Sequence, residues 1–560
     1  MDQRPINHWA SLWESLAATV PDAEAIVQGE TRVTWRALED RASRIAAALS
    51  AAGVAEGGTV AQYLYNSPEY IETYFAALKI RAVPVNVNYR YLDGELEYLL
   101  QDSGAQALVF HSSLSQRVAR IVPRCPSLRL LLEVDDGAAG SVSRASPYEA
   151  IVSAHSPALP VPRSENDVSM TYTGGTTGMP KGVVRRIGPA VKGLLGAVPT
   201  GIGRGPLGDC GEAVALCHHL HEEGRQPVTL PASPLVHATA LVIGMQAGLL
   251  LGGKVTLCGG RRFDAVELWD LAERERVQAI AIVGEPFARP MLAAIGDRSP
   301  SGPHRNLESL RTIASSGAMF SAETKRGLLD HLPGSSIVDY MSSTEGLMGV
   351  SVSTREAVVP TGSFFPAPGV RVLTEEDQDV VPGSGVAGRL ALSVGVPDRY
   401  YKDEAKSART FRHITGRRYA IPGDWATIDG NGVVHLLGRG AQCINSGGEK
   451  IFAEEVEEVI KRHPGVIDCL VLGIADPAFG QRVAAVVAVD PRSDVTPGRL
   501  SEHVTSQLAH YKAPRDILLV EAVPRAATGK ADYPAAHRLL AAADPRHAVA
   551  SDRSDGQPSG

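Results

Sequence analysis

Twelve residues, "YTGGTTGMPKGV" from Tyr172 to Val183, hold four glycines, three threonines and one lysine. Glycine lacks a Cβ, so successive backbone N–H groups can converge on one anion, and threonine hydroxyls add further donors. Lys181 supplies a point charge. This is the composition of a phosphate cradle. The spacing is not that of a Walker loop, in which lysine directly follows the last glycine and Ser or Thr follows the lysine. Here Met179 and Pro180 stand between Gly178 and Lys181, and Gly182 comes next. A second cluster, "CGEAVALCHHLH", groups Cys210, Cys217, His218, His219 and His221. Its cysteines are further apart than paired zinc ligands, and adjacent histidines point apart on any regular element, so it reads as a polar surface segment.

Those groups must be positioned by a chain of 560 residues, too long for a single core, so two or more domains are expected. Hydrophobic residues make up 44% and charged residues 21%, ordinary for a globular protein. With 55 basic against 62 acidic residues, the net charge is −7. That balance argues against a nucleic-acid binder, so a polyphosphate must be held by local donors. The opening "MDQRPINHWASLWESL" has no basic region followed by an apolar one, and the six cysteines form no framework. Both point to reduced thiols in the cytoplasm. The longest apolar stretch, "ATALVIGMQAGLLLGG" from Ala238, is short and glycine-rich and reads as a buried helix, with no integral membrane contact.

Apolar runs such as "TVAQYLY", "AVPVNVN", "ALVFH", "KVTLC" and "AIAIVG" alternate with helical patterns. In "TRVTWRALEDRASRIAAALSAAG", Leu38, Ala42, Ile45, Ala46 and Leu49 recur at helical spacing, and Gly53 suits the end of the helix. The alternation predicts an α/β fold with a large N-terminal domain of mainly parallel sheets. A β-rich subdomain is expected from near residue 360. The stretch from "GRGAQCINSGGEKI" onward predicts a small α+β C-terminal domain. The expected division is residues 1–438, a hinge at 439–441, a C-terminal domain over 442–540 and a disordered tail over 541–560.

The cradle, "SSTE" (Ser342–Glu345), "IPGDW" (Ile421–Trp425), "GRGAQCINSGGEKI" and "PRAATGK" (Pro524–Lys530) occur in an order and spacing that resemble the adenylate-forming superfamily. That superfamily includes acyl- and aryl-CoA synthetases, adenylation domains and firefly luciferase. The resemblance runs from about Pro5 to Leu540. "VNVNYRY", "YYKDEAKSARTFR", "RYAIPGDWAT" and "CINSGGEKIFAEEVE" look closer still to actinobacterial steroid-side-chain and fatty acyl-CoA ligases.

The resemblance implies ATP, Mg²⁺ and CoA as cofactors, and a reaction in which a carboxylate attacks the α-phosphate of ATP. Two anions must meet, so catalysis is chiefly positioning and charge neutralisation. By the same resemblance, Thr173, Gly174, Gly175, Thr176, Thr177, Gly178 and Lys181 hold the β,γ-phosphates. Thr344 touches the α-phosphate, and Glu345 with Thr177 helps hold Mg²⁺. A carboxylate suits that hard cation, although "STE" taken alone reads as a helix cap. Asp424 matches the aspartate on the ribose hydroxyls, Arg439 reaches the nucleotide, and Ser315, Ser316, Gly317 and Ala318 border adenine and the acyl group. Lys530, a surface lysine if read in isolation, matches the C-terminal lysine that bridges the carboxylate and the α-phosphate. Gly447 and Gly448 would admit a narrow thiol arm after the small domain rotates. His237 matches a position between acyl pocket and carboxylate.

Two departures stand out. Met341 occupies the position of the usual adenine-stacking aromatic, with Tyr340 one residue earlier, and Ala441 replaces the usual hinge Asp or Lys. Val236, Leu241, Val283, Met319, Leu347 and Met348 suit a hydrophobic or ring-bearing acid. The leading expectation is an acid–CoA ligase, with a homodimer as the candidate assembly. Alternatives keep adenylation but pass the acyl group to a carrier protein or an amine, or adenylate nitrite for diazo formation. A non-catalytic nucleotide-binding relative is a third class.

Overall fold

The computed structural model describes residues 6–140, 142–173, 179–296, 305–439, 443–446, 449–476, 480–508, 510–525 and 531–543. They fall into two compact units, one of residues 1–361 with 392–420, the other of 362–391 with 421–560.

The first unit contains two sheets. One is 8-stranded, in the order Arg399–Tyr400, Lys181–Arg186, Val168–Thr173, Val83–Asn86, Thr59–Tyr63, Ala105–His111, Leu130–Val134, Ser146–Pro147. Its strands are parallel from 168–173 onward, while the 181–186 strand runs antiparallel to both of its neighbours. The second sheet orders Thr31–Thr34, Glu24–Gln28, Lys254–Leu257, Val228–Pro231, Ala279–Ile282, Thr312–Ser316, Ser336–Ser343 and Gly346–Ser353. Its inner strands are parallel, and its last two form an antiparallel hairpin. Helices cover these strands, which is why the strands read as continuous apolar runs.

The helix Trp35–Ala51 illustrates how the pattern becomes structure. The Thr34 hydroxyl caps it by accepting from the Ala37 N–H at 3.2 Å. Leu38, Ala42, Ile45, Ala46 and Leu49 are all buried, as their spacing requires. The stretch from Ala238 is the buried helix its composition suggests, with an unusual winding. Its residues Thr239–Gln246 form a π-helix, followed by a short α-helix, Ala247–Leu249. Within it, the Gly244 carbonyl accepts from the Thr229 hydroxyl of a neighbouring strand at 2.8 Å.

The second unit opens with the β-rich part expected near residue 360. Ser363–Pro366 pairs with Val434–Arg439, which pairs with Asp424–Ile428. Its α+β part has a sheet ordered Glu449–Phe452, Cys443–Ser446, Gly480–Val489, Val466–Asp476, with Asp516–Val520 on the 480–489 strand. Alternation along the two long strands makes two cores. Cys469, Val471, Val483, Ala485 and Val487 pack with the helix Ala453–Lys461. Leu470, Leu472, Ala484 and Val486 pack with Ala536 and Leu540 of the helix Tyr533–Ala543. The α/β class with a β-rich part and a small C-terminal α+β part is therefore observed. Among the described residues, no helix is long and apolar enough to cross a membrane.

Candidate functional site

Thr173 ends one strand and Lys181 begins the next, and the two are cross-strand partners flanking residues 174–178. The hairpin is anchored by Asn86, which accepts from the Tyr172 N–H at 2.7 Å and donates to the Tyr172 and Val236 carbonyls at 2.9 and 2.6 Å. Gly182 follows the lysine because a Cβ there would lie 2.8 Å from the Met170 sulfur. The Lys181 ammonium donates to Asp403 Oδ2 at 2.5 Å. Asp403 also caps the helix Glu404–Thr410 by accepting from the Lys406 N–H at 3.0 Å. The Lys181 ammonium, then this cap, hold the Asp403 carboxyl below its usual range.

Thr344 and Glu345 cap no helix; they are the two-residue turn between strands Ser336–Ser343 and Gly346–Ser353. Two hydroxyls donate to the Glu345 carboxylate, that of Thr344 at 3.2 Å and that of Tyr400 at 2.5 Å. Arg185 donates to the Thr344 carbonyl at 2.8 Å and to the Gly395 carbonyl at 2.6 Å. Burial pushes this guanidinium below its ordinary value, opposed by the Glu345 and Asp398 carboxylates. Glu345 is only 8% exposed. Among the described residues, no group of three or more His, Cys, Asp or Glu could hold a metal ion. A hard cation at Glu345 would draw on phosphate oxygens and water for much of its shell, as Mg²⁺ prefers.

On the neighbouring strand, Ser316 donates to the Tyr340 carbonyl at 2.9 Å and shares a hydrogen bond with the Ser342 hydroxyl at 2.6 Å. Ser316 and Tyr340 are in register, so they share one face, while Met341 lies on the other and is buried. Gly317 follows with φ of +91°, and a Cβ on it would lie 3.7 Å from both the Thr239 hydroxyl oxygen and the Val283 Cγ1. Gly284 fixes the segment from behind. It has φ of +52° and ψ of −149°, and a Cβ on it would sit 2.4 Å from the Met319 carbonyl oxygen and 2.6 Å from that of Ala318. Gly284→Ala is expected to lower stability by about 1–3 kcal/mol, detected as an earlier melting transition. It should also displace the Ser316–Ala318 segment, raising KM for the nucleotide.

His237 lies in a loop fastened by Asn66, which accepts from the Leu235 N–H at 2.7 Å, and by the Tyr70 hydroxyl, which donates to the Leu235 carbonyl at 3.2 Å. Val236, Leu241, Val283 and Met348 are buried, Met319 is half-buried and Leu347 is exposed. The Cys–His cluster forms the helix Cys210–Glu222. Its thiols are buried, and burial pushes each up to about 12; His218 and His219 pair with Glu222 and Glu223.

In the second unit, Asp424 is buried and is the ladder partner of Arg439 across two antiparallel strands. Residues 525 and 531 form a bridge whose base is held by Arg525, donating to both oxygens of Asp468 at 2.5 and 2.6 Å. Gly174, Gly175, Thr176, Thr177, Gly178, Ala441, Gly447, Gly448 and Lys530 lie outside the described residues, as does the Arg439 side chain. Sequence reasoning missed Arg185, Tyr400 and Asp403. The signal for Asp403 was an aspartate directly before a helix-favouring "EAKSA".

Residues 13–394 match the family described as AMP-binding enzyme, and residues 455–530 match AMP-binding enzyme C-terminal domain. The chain is 38% identical over 537 residues to 3-oxocholest-4-en-26-oate–CoA ligase of Rhodococcus rhodochrous, covering 94% of each. It is 31% identical to feruloyl-CoA synthase of an Amycolatopsis species, covering 91% of this chain and 94% of the relative. The structure of the anthranilate CoA ligase AuaEII with anthranoyl-AMP superposes with a TM-score of 0.80 at 21% identity, covering 97% of this chain and 99% of that one. With the hairpin-borne Lys181, the Thr344–Glu345 turn and the Asp424–Arg439 ladder in place, the chain belongs to the AMP-binding enzyme family.

Proposed function

We propose that the protein is an ATP-dependent acid–CoA ligase acting on a hydrophobic carboxylic acid. The observation that carries the reading is the convergence of Lys181 and Glu345 on one segment, through Asp403 and Tyr400. In the first step, a substrate carboxylate oxygen attacks the α-phosphorus of ATP, and pyrophosphate leaves. Lys181 with Thr173 and residues 174–178 holds the β,γ-phosphates, and Thr344 touches the α-phosphate. Asp424 accepts from the ribose hydroxyls, Arg439 reaches the nucleotide, and Ser316, Gly317 and Ala318 border adenine, with Tyr340 rather than the buried Met341 on the Ser316 face. Mg²⁺, held by Glu345 and Thr177, would neutralise charge on the phosphates. Lys530 bridges the two anions as their charges merge, and His237 lies between acyl group and carboxylate.

In the second step the CoA thiol adds to the acyl carbonyl and AMP departs. Residues 442–540 swing about a 439–441 hinge against residues 1–438, withdrawing Lys530 and presenting Gly447 and Gly448 to the thiol arm. The relatives' names support a hydrophobic acid, which the apolar side chains at Val236, Leu241, Val283 and Met348 suit. The reading places the enzyme in the cytoplasm, as a monomer or homodimer.

The test is incubation with ATP, Mg²⁺, CoA and a panel of fatty, steroid side-chain and aryl acids. AMP and a CoA thioester are expected for at least one acid. AMP formed with nitrite, an amine or a carrier protein but never with CoA would replace this reading.

A further inference from the structure

Tyr400 and Asp403 belong to a segment to which the sequence assigned no role. Residues 399 and 400 ladder antiparallel onto Val184 and Val183, and the Tyr401 N–H donates to the Gly182 carbonyl at 2.7 Å. The segment thus runs back along the strand that begins at Lys181, and Asp403 emerges beside that lysine. We propose that residues 399–410 form a positioning strap, in which Asp403 orients the Lys181 ammonium for the triphosphate and Tyr400 orients the Glu345 carboxylate.

Both strap residues are themselves fixed. One oxygen of Asp403 is taken by the Lys406 N–H and the other by Lys181. The Tyr400 N–H donates to the Ser407 hydroxyl at 2.9 Å, its ring packs tilted at 41° against Phe411 with centroids 5.1 Å apart, and its hydroxyl donates to Glu345. A lysine stem is otherwise free to sample many rotamers, and ordering it on binding opposes association. An ammonium has three donors, so one bond to Asp403 leaves two for phosphate oxygens. Partly exposed ion pairs contribute little to folding. The charge of Asp403 should therefore matter to the nucleotide more than to the fold.

The inference rests on the ligase reading, and its test separates the two. Asp403→Asn keeps an oxygen to cap the helix and removes the charge. Calorimetry with MgATP should give a Kd raised about five- to tenfold, with an unchanged melting temperature. In a Lys181→Met background the same substitution should weaken binding no further. Tyr400→Phe should raise the Mg²⁺ concentration needed for half-maximal pyrophosphate exchange. Unchanged or tighter MgATP binding by Asp403→Asn would overturn the strap while leaving the ligase reading standing. Equal weakening with and without Lys181 would overturn it too, because the effect would not pass through the lysine. A wild type that binds no ATP would sink both.

Discussion

Alanine at Lys530 should slow acyl-adenylate formation by about 10²–10³-fold, while the conversion of supplied acyl-AMP to thioester stays within a few-fold of wild type. The asymmetry follows from where charge develops. In the first half-reaction a carboxylate approaches a phosphate, and a cation between them is favoured in the transition state more than in the ground state. In the second, a thiol meets a neutral acyl carbonyl and the leaving group is AMP, so a lysine at the α-phosphate has no comparable task. Lys530 lies one residue before the Arg525–Ala531 bridge closes, and Arg525 is pinned by both oxygens of Asp468. Pyrophosphate exchange and single-turnover thioesterification measure the two halves separately. Equal loss in both would remove Lys530 from its assigned role.

Glu345→Gln is the second large effect expected. Glutamine keeps the shape and one acceptor oxygen, enough for the shorter Tyr400 bond, while the Thr344 hydroxyl can rotate to accept from the new amide, so the turn between residues 343 and 346 should persist. The charge is lost. A cation held there would lose the Glu345 carboxylate. Adenylation should fall by about 10²–10³-fold at ordinary Mg²⁺ concentrations, the scale of losing one transition-state charge partner. The Arg185 guanidinium also loses a compensating carboxylate, so stability should drop by about 1–2 kcal/mol. Rates under varied Mg²⁺ and a melting curve would measure both. Wild-type rates at every Mg²⁺ concentration would take Glu345 out of the metal site.

Much of the framework was legible because local pattern and global fold agree. The helical spacing of Leu38, Ala42, Ile45, Ala46 and Leu49 became a buried face, and the apolar runs became inner parallel strands. The motif residues Thr173, Lys181, Thr344, Glu345 and Asp424 lie at strand ends or turns, where side chains can leave the sheet. What failed was non-local. The Lys181–Asp403 pair joins positions 222 residues apart, beyond the reach of any spacing argument.

The most direct measurement is exchange of labelled pyrophosphate into ATP with a hydrophobic acid present and CoA absent. A carboxylate brought against the α-phosphate between a triphosphate clamp and Lys530 predicts acid-dependent exchange without any thiol. Thioester formation accompanied by ADP and orthophosphate, with no such exchange, would contradict it.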